Sequence, residues 1–155
     1  MLGSLALGRG KYEEAEAYLR KAADAPQPVP LALNDLAEVL RRLKRLHEAE
    51  SYARKATETA PGLYVARATL GSILMAAGRN LDEAEAAIRK ACQLSKDAKT
   101  GKEADVRMLV SLARVQIRNK DKDHARLTIR KIRARLDELS EFEREEFEEV
   151  AKGAR

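Results

Sequence analysis

Three arginines at helical spacing are the residues of this 155-residue chain best suited to binding chemistry. On a helix, Arg107, Ser111, Arg114 and Arg118 would fall at i, i+4, i+7 and i+11, so they would share one stripe. A planar guanidinium can hold a carboxylate through two parallel hydrogen bonds. The stripe therefore predicts a site for an acidic segment or a free C-terminal carboxylate. A merely solvated basic face is the alternative, and the pattern alone fits both equally.

The residue types that perform catalysis or bind metals are sparse and scattered. His47 and His124 lie far apart, without a cysteine or carboxylate at metal-ligand spacing. The single cysteine, Cys92, follows an alanine in a helical pattern and is expected to pack as a small apolar residue. Gly8 and Gly10 form a short break between helices rather than a phosphate-binding loop. The sequence therefore predicts a protein that is not an enzyme and that uses no cofactor and no metal.

A second basic cluster raises the question of nucleic acid. It consists of Arg126, Arg130, Lys131, Arg133 and Arg135. Such a cluster would bind phosphates with a steep salt dependence. Aromatic residues for base stacking make up only 4% of the chain, and no set of varying base-reading polar residues is recognisable. RNA binding is therefore the weaker alternative, and nucleic acid is not the expected partner.

Composition and charge describe a folded domain with an uneven surface. Hydrophobic residues reach 45% and charged residues 35%, which excludes a disordered polymer. With no Trp, aliphatic residues and alanine must build the core. The net charge is +5, yet residues 137–155 carry eight acids against three bases, so the remaining chain is strongly basic. A basic body favours acidic partners, although solvated helix faces explain the same charges.

Cysteine usage and hydropathy indicate a compartment. A lone cysteine cannot form an internal disulfide, which is compatible with a reducing environment. The sequence contains no apolar run near the ~18 residues that a bilayer span needs. The opening MLGSLALG lacks the basic start of a signal peptide. A cytoplasmic protein without a membrane segment is expected.

A thirteen-residue pattern occurs four times along the chain. The copies are GKYEEAEAYLRKA at 10–22, KRLHEAESYARKA at 44–56, RNLDEAEAAIRKA at 79–91 and KDKDHARLTIRKI at 120–132. Their central alanines, Ala15, Ala49, Ala84 and Ala125, are separated by 34, 35 and 41 residues. Alanine or a larger aliphatic residue follows at i+4 and i+7 on the same helix face, which is mostly small, so a neighbouring helix can approach closely. In the first three copies an exposed Glu precedes an Arg by four residues, which suits ion pairs of roughly 0.2–0.5 kcal/mol.

A second helical pattern precedes each copy after the first, and together the two patterns resemble a known family. Leu36-Ala37-x-x-Leu40 and Leu70-Gly71-x-x-Leu74 lead into the repeat alanines, and the second unit ends in Ala60-Pro61. This arrangement at a 34-residue period resembles the tetratricopeptide repeat. The resemblance implies an all-α fold, a right-handed α-solenoid of helix-turn-helix units. Arg67 and Gln116 depart from the family pattern, because each stands where a bulky apolar residue is expected.

The same alignment predicts a division of the chain. The expected units are a first repeat at 1–28 with a truncated first helix, repeats at 29–62, 63–103 and 104–138, and a capping helix at 140–152. The truncation suggests a piece of a longer array or a shortened start. Ser140-x-x-Glu143 is a capping-box pattern that could begin the last helix, with its glutamates in water. One long helix through Leu139 is the competing interpretation, and 95–103 is either a helix extension with a turn or a loop.

The resemblance implies a noncatalytic adaptor or scaffold that binds a protein or peptide in a groove lined by the first helices. The predicted groove residues are Asn34, Glu38, Arg41, Arg42, Ser72, Met75, Arg107, Arg114 and Arg118. This assignment places an apolar middle near Met75 and a basic end in the fourth repeat. The family's clamp for chaperone tails needs a Lys as well as an Asn, and Asn34 alone does not supply it. The alternative function is a structural module that self-associates, through an apolar edge left by the truncated first helix.

Overall fold

The computed structural model describes residues 11–96 and 104–154, and every regular element in these ranges is a helix. The helices are α1 (Tyr12–Ala23), α2 (Pro30–Arg42), α3 (Leu46–Thr59), α4 (Tyr64–Ala77), α5 (Leu81–Leu94), α6 (Val106–Arg118), α7 (Lys122–Arg133) and α8 (Glu141–Lys152). A single 3-10 turn, Leu136–Glu138, separates α7 from α8. The predicted truncated helix and opening segment at residues 1–10 lie outside the described residues. So does most of the predicted extension or loop, since α5 ends at Leu94 and residues 97–103 are not described.

From α1 to α7 each helix packs against its neighbour in the chain, and three pairs form tight hairpins: α2 with α3, α4 with α5, and α6 with α7. Left-handed residues in the short breaks make these reversals. Lys44 has φ 63°, Gly78 φ 68° and Lys120 φ 62°. Such a residue ends one helix and turns the chain back within three positions. The predicted all-α solenoid of helix-turn-helix units is confirmed.

The first helices of successive units also touch one another directly. α2 contacts α4, α4 contacts α6, and α6 contacts α8. The second helices α1, α3, α5 and α7 are joined across units mainly by long side chains, described below. The row of first helices is therefore the tighter, inner side of the solenoid. We call it the concave surface.

The alanine seam lies where the repeat pattern placed it. Ala15, Ala49, Ala84 and Ala125 are each 0% exposed. The closest approach is between α4 and α5, where a Cβ added at Gly71 would lie 2.4 Å from Ile88 Cγ1 and 2.9 Å from the carbonyl oxygen of Ala84. Small residues thus set the distance between the helices of a pair, as predicted.

The predicted Glu–Arg pairs form, but they do more than stabilise one helix. Glu16 pairs with Arg20 at 2.8 Å and also with Arg45 of the next unit at 2.8 Å. Glu50 repeats the arrangement one unit later with Arg79, again at 2.8 Å. Only 15% and 16% of the two glutamate side chains are exposed, which corrects the expectation of a solvated pair. These glutamates therefore link adjacent units through ion pairs.

The third and fourth units meet through a buried polar cluster instead. Gln116 is 1% exposed, and its Oε1 accepts from the Thr128 hydroxyl at 2.8 Å. Its Nε2 donates to Glu85 Oε1 at 3.3 Å, while Asn119 Nδ2 donates to Glu85 Oε2 at 3.2 Å. Glu85 therefore keeps partners in the next unit although no arginine follows it there. The departure at Gln116 is a satisfied polar contact rather than a defect in the repeat.

The C-terminal helix begins at the predicted capping box. The Ser140 amide donates to Glu143 Oε2 at 2.8 Å, and the Glu143 amide donates back to Ser140 Oγ at 3.4 Å. Leu139 is extended, so the competing single long helix is wrong. Phe147 and Ala151, 0% and 5% exposed, bury the inner face of α8, which contacts α6.

No helix within the described ranges is both long enough and apolar enough to cross a membrane.

Candidate functional site: the concave surface

The concave surface carries the predicted groove residues on parallel helices. α2, α4 and α6 run in the same direction because an antiparallel helix separates each from the next. Their C-terminal ends therefore lie along one edge of the surface. α2 starts with Pro30 at its first position, where the fixed φ suits a helix, and it ends in Arg41 and Arg42, whose charges favour a helix C-terminus.

On α2, one carboxylate serves two arginines. Glu38 accepts from Arg41 Nε and Nη2 at 2.7 and 2.6 Å, and from Arg42 Nε at 2.8 Å. Burial tends to raise the pKa of Glu38, but the bonds from both guanidinium groups outweigh it, so the pKa is lowered. Glu38 is therefore ionised at neutral pH. Glu38, Arg41 and Arg42 together carry a net charge of about +1.

Asn34 contributes a buried amide to the same face of α2. It is 8% exposed, and its Nδ2 donates to Asp35 Oδ1 at 3.2 Å. Its Oδ1 is buried without a hydrogen-bond partner. An unsatisfied buried acceptor costs about 1–3 kcal/mol, so an N–H donor would be favoured there once the side chain turns towards the groove.

The middle of the surface, on α4, is uncharged. Ser72 and Met75 are its predicted groove residues, and Val65, Ala68 and Ala76 share their helix face by spacing. Met75 is 9% exposed and Ser72 is partly exposed, so Met75 lies at the bottom of the groove. This stretch can contact apolar parts of a bound segment without offering charge.

The arginine stripe on α6 is partly occupied by the chain itself. Arg107 Nε donates to Glu143 Oε1 at 2.5 Å, and Arg114 Nη2 donates to Glu146 Oε1 at 2.5 Å. Both glutamates were expected in water: Glu146 is exposed but also pairs with Arg114, and Glu143 is only partly exposed. A cavity of about 220 Å³ lies between the helices, with Val110 in its lining. The opposite net charges of α6 and α8 could have suggested the contact, but the register of α8 was not readable.

Arg118, the last member of the stripe, reaches in another direction. Its Nη1 donates to the Met75 carbonyl oxygen at 2.5 Å, at the C-terminal end of α4. Carbonyl groups in a last helical turn lack partners within the helix, and the negative end of the helix dipole attracts a cation. Arg118 stays exposed and lies at the same edge as Arg41 and Arg42. We call these three residues the basic edge.

The Arg107–Glu143 pair makes α8 sensitive to acid. The pKa of Glu143 falls from an ordinary 4.5 to about 2, first because of Arg107 and then because of the Ser140 hydroxyl and amide. The stabilisation is therefore complete above about pH 4.5 and is lost as the pH falls towards 2. We expect the melting-temperature gap between wild type and Glu143→Gln to narrow over that range. Thermal melts at several pH values measure it.

Glu145→Gln provides the matched control, because Glu145 lies on the exposed side of α8. At low protein concentration it is expected to stay close to wild type at every pH. A gap for Glu143→Gln that is the same at pH 7 and pH 3 would contradict an ionic role.

Two further reactive side chains, His124 and Cys92, are held within the fold. His124 Nδ1 lies 2.8 Å from Asp121 Oδ2 in the first turn of α7. Cys92 is 6% exposed, and burial raises the pKa of its thiol to about 11. Within residues 11–96 and 104–154, no three His, Cys, Asp or Glu side chains are grouped as metal ligands.

The second basic cluster is partly engaged with the chain. Arg126 Nε donates to the Ala154 carbonyl oxygen at 3.1 Å, and Arg135 Nη1 donates to that of Ala104 at 2.8 Å. Both arginines thereby help to hold the C-terminal unit together.

Comparisons with known proteins agree with this architecture. A family model described as the tetratricopeptide repeat matches residues 1–64. The first TPR of Spaghetti (RPAP3), bound to the HSP90 peptide SRMEEVD, is 23% identical, with a TM-score of 0.63 over 74% of this chain and 84% of that one. A MamA double mutant from RS-1 is 18% identical, with a TM-score of 0.69 over 84% and 69%. A thermophilic TPR protein from Thermus thermophilus is 18% identical, with a TM-score of 0.62 over 86% and 70%.

No curated protein sequence matches the chain significantly. At these identities, the solved structures show the fold.

Proposed function

We propose that this chain, which belongs to the tetratricopeptide repeat family, is a noncatalytic adaptor whose concave surface binds an acidic segment of a partner protein. The tetratricopeptide repeat is generally a protein–protein interaction module. The observation that carries the finer proposal is the basic edge. There Arg41 and Arg42 share one carboxylate, that of Glu38, while Arg118 contacts a neutral carbonyl oxygen.

Charge and geometry at this edge favour a carboxylate ligand. Arg42 is about half exposed, with 52% of its side chain accessible, so it can turn from Glu38 to a ligand at little cost. Arg118 is exposed, and the bond described above holds it to a neutral group, the Met75 carbonyl oxygen. Each can offer N–H donors to a planar carboxylate.

The unpaired amide oxygen of Asn34 favours a peptide ligand over a small anion. Its unpaired Oδ1 needs a donor, and a carboxylate has none to give at neutral pH. A peptide supplies backbone N–H groups beside its acidic side chains. An extended acidic segment on α2 would satisfy the amide of Asn34 and the edge arginines together.

The proposed contact differs from the predicted one in the fourth repeat. Arg107 and Arg114 already pair with acids of α8. A ligand would have to displace these acids, whereas Arg42 and Arg118 are more open. We therefore place the primary contact at the basic edge, with Ser72 and Met75 in the middle of the groove.

One structural neighbour gives the proposal a usable probe. The first TPR of Spaghetti is bound to the peptide SRMEEVD, a short acidic segment. The peptide contacts of that complex are not expected in this chain, because Asn34 alone does not supply the Lys and Asn clamp for chaperone tails. The peptide represents the ligand class.

The test measures binding of fluorescein-labelled SRMEEVD by anisotropy at low ionic strength. Reversing both exposed edge charges, with Arg42→Glu and Arg118→Glu, is expected to weaken binding at least about tenfold, because like charges then face the peptide. Amidating the C-terminal carboxylate separates a terminal contact from acidic side-chain contacts.

The matched control carries the same charge change on second helices. Lys55→Glu with Lys90→Glu alters exposed residues away from the concave surface and should bind like wild type. Absence of wild-type binding, or equal affinity in the edge variant, would show that the basic edge is not an acidic-peptide site.

A further inference from the structure

The outer face of α8 presents an aromatic ring to solvent. Phe142 is 74% exposed, although it lies only five positions before the fully buried Phe147. Five helical steps place the two rings on nearly opposite sides of α8. Glu145 and Glu149 follow Phe142 at i+3 and i+7, and both are exposed. We call Phe142, Glu145 and Glu149 the acidic knob.

The chain also contains a pocket of complementary character. It has a volume of about 470 Å³ and lies where α5, α6 and α7 meet. Cys92, Leu109 and Leu112 form its floor, exposing 6%, 9% and 6% of their surfaces. Its cationic lining residues are Arg89, Lys96, Lys131 and Arg135, of which Arg89 is paired with Glu85 and Arg135 with Glu138. No acidic side chain is among the described residues that line it, and we call it the basic pocket.

We infer that the acidic knob of one copy docks into the basic pocket of a second copy of this chain. The phenyl ring would cover the apolar floor while the glutamates meet the cationic rim. An apolar centre within charged surroundings of opposite sign is the arrangement that gives an interface both affinity and register.

The Phe142 ring is left largely uncovered by its own molecule. Phe147 and Ala151 hold the inner face of α8 against the solenoid, so Phe142 points away from it. In the proposed dimer a second copy supplies the cover. Each copy offers one knob and one pocket in its C-terminal half, so a two-fold axis would let two copies exchange knobs in a closed dimer.

The residues of this contact are separate from those of the concave surface. Arg42, Arg118 and Asn34 belong to neither the knob nor the pocket. The dimer therefore goes beyond the proposed peptide binding, and either can fail without the other.

Sedimentation velocity over a concentration series tests the inference. Wild type is expected to form a dimer that weakens as salt is added, because screened charges attract less. Phe142→Ala should raise the dissociation constant at least about tenfold, as for a central aromatic contact. Tyr64→Ala, at another exposed aromatic residue (39% exposed), is the matched control and should dimerise like wild type.

Two charge-reversed variants make the test specific. The pocket variant combines Lys96→Glu with Lys131→Glu, and the knob variant combines Glu145→Lys with Glu149→Lys. Each alone brings like charges together and should remain monomeric. Mixed in equal amounts, the two variants restore opposite charges at both contacts of a two-fold dimer and should form a heterodimer.

A monomeric wild type at the highest accessible concentration would overturn the inference. So would wild-type dimerisation in Phe142→Ala, or failure of the mixed variants to associate. Recovery of the heterodimer cannot come from misfolding of either variant, since a misfolded partner would not complement the other.

Discussion

Phe147→Ala is expected to lower the free energy of unfolding of the C-terminal unit by about 3–5 kcal/mol, the usual cost of removing a buried phenyl ring. Phe147 is 0% exposed and anchors α8. Its neighbours on the inner face, Ala151 and Val150, are small or only partly buried, so they cannot fill the cavity. Urea denaturation with hydrogen exchange measures the loss and its location.

In Phe147→Ala the C-terminal helix is expected to unfold before the rest of the chain does. In repeat proteins each unit contacts mainly its neighbours, so a terminal helix can detach while the others remain folded. We expect the amides of α8 to lose protection first, together with those at the end of α6. Phe142→Ala is the matched control, since it removes the same ring from the exposed side of the same helix. In dilute protein it should change stability by no more than about 0.5 kcal/mol. Equal effects of the two substitutions would mean that α8 is not anchored as described.

The repeat pattern made the fold readable because it fixes which faces must be buried. Ala49 and Ala84 recur with small or apolar residues at i+4 and i+7, and only paired helices can bury such a face repeatedly. The breaks at Lys44 and Lys120 could be placed by the end of that periodicity, even though neither is a glycine. The capping box at Ser140 is a local signal, read directly from residues three positions apart.

Contacts between units were not readable in the same way. The bond between Glu16 and Arg45 depends on how far two long side chains reach across a helix interface. The pairing of Arg107 with Glu143 depends on the register of α8, which Phe147 sets through packing rather than through any repeat. The groove residues could be named by position, but their burial, as for Asn34, follows from neighbours in three dimensions.

Gly71→Ala is expected to destabilise the protein by about 1–3 kcal/mol, although alanine is the better helix former by about 1 kcal/mol. The new Cβ would lie 2.4 Å from Ile88 Cγ1 and 2.9 Å from the carbonyl oxygen of Ala84. A side chain can turn aside, but a backbone carbonyl moves only if α4 and α5 separate. Gly62→Ala is the control, because a Cβ at Gly62 meets nothing within 4 Å, and its effect should stay within about 0.5 kcal/mol.

The second unit shows why the clash belongs to the pair of residues rather than to the glycine alone. There the equivalent positions hold Ala37 and Ala53, both 0% exposed, so an alanine is accommodated when its neighbour is small. Ile88→Ala should itself cost about 2–5 kcal/mol through the cavity it leaves. Combining it with Gly71→Ala should cost less than the sum of the two, since the added methyl occupies part of that cavity. Denaturation of the four proteins of this cycle gives the coupling energy. A value near zero would mean that α4 and α5 are held apart by the Ala84 backbone alone.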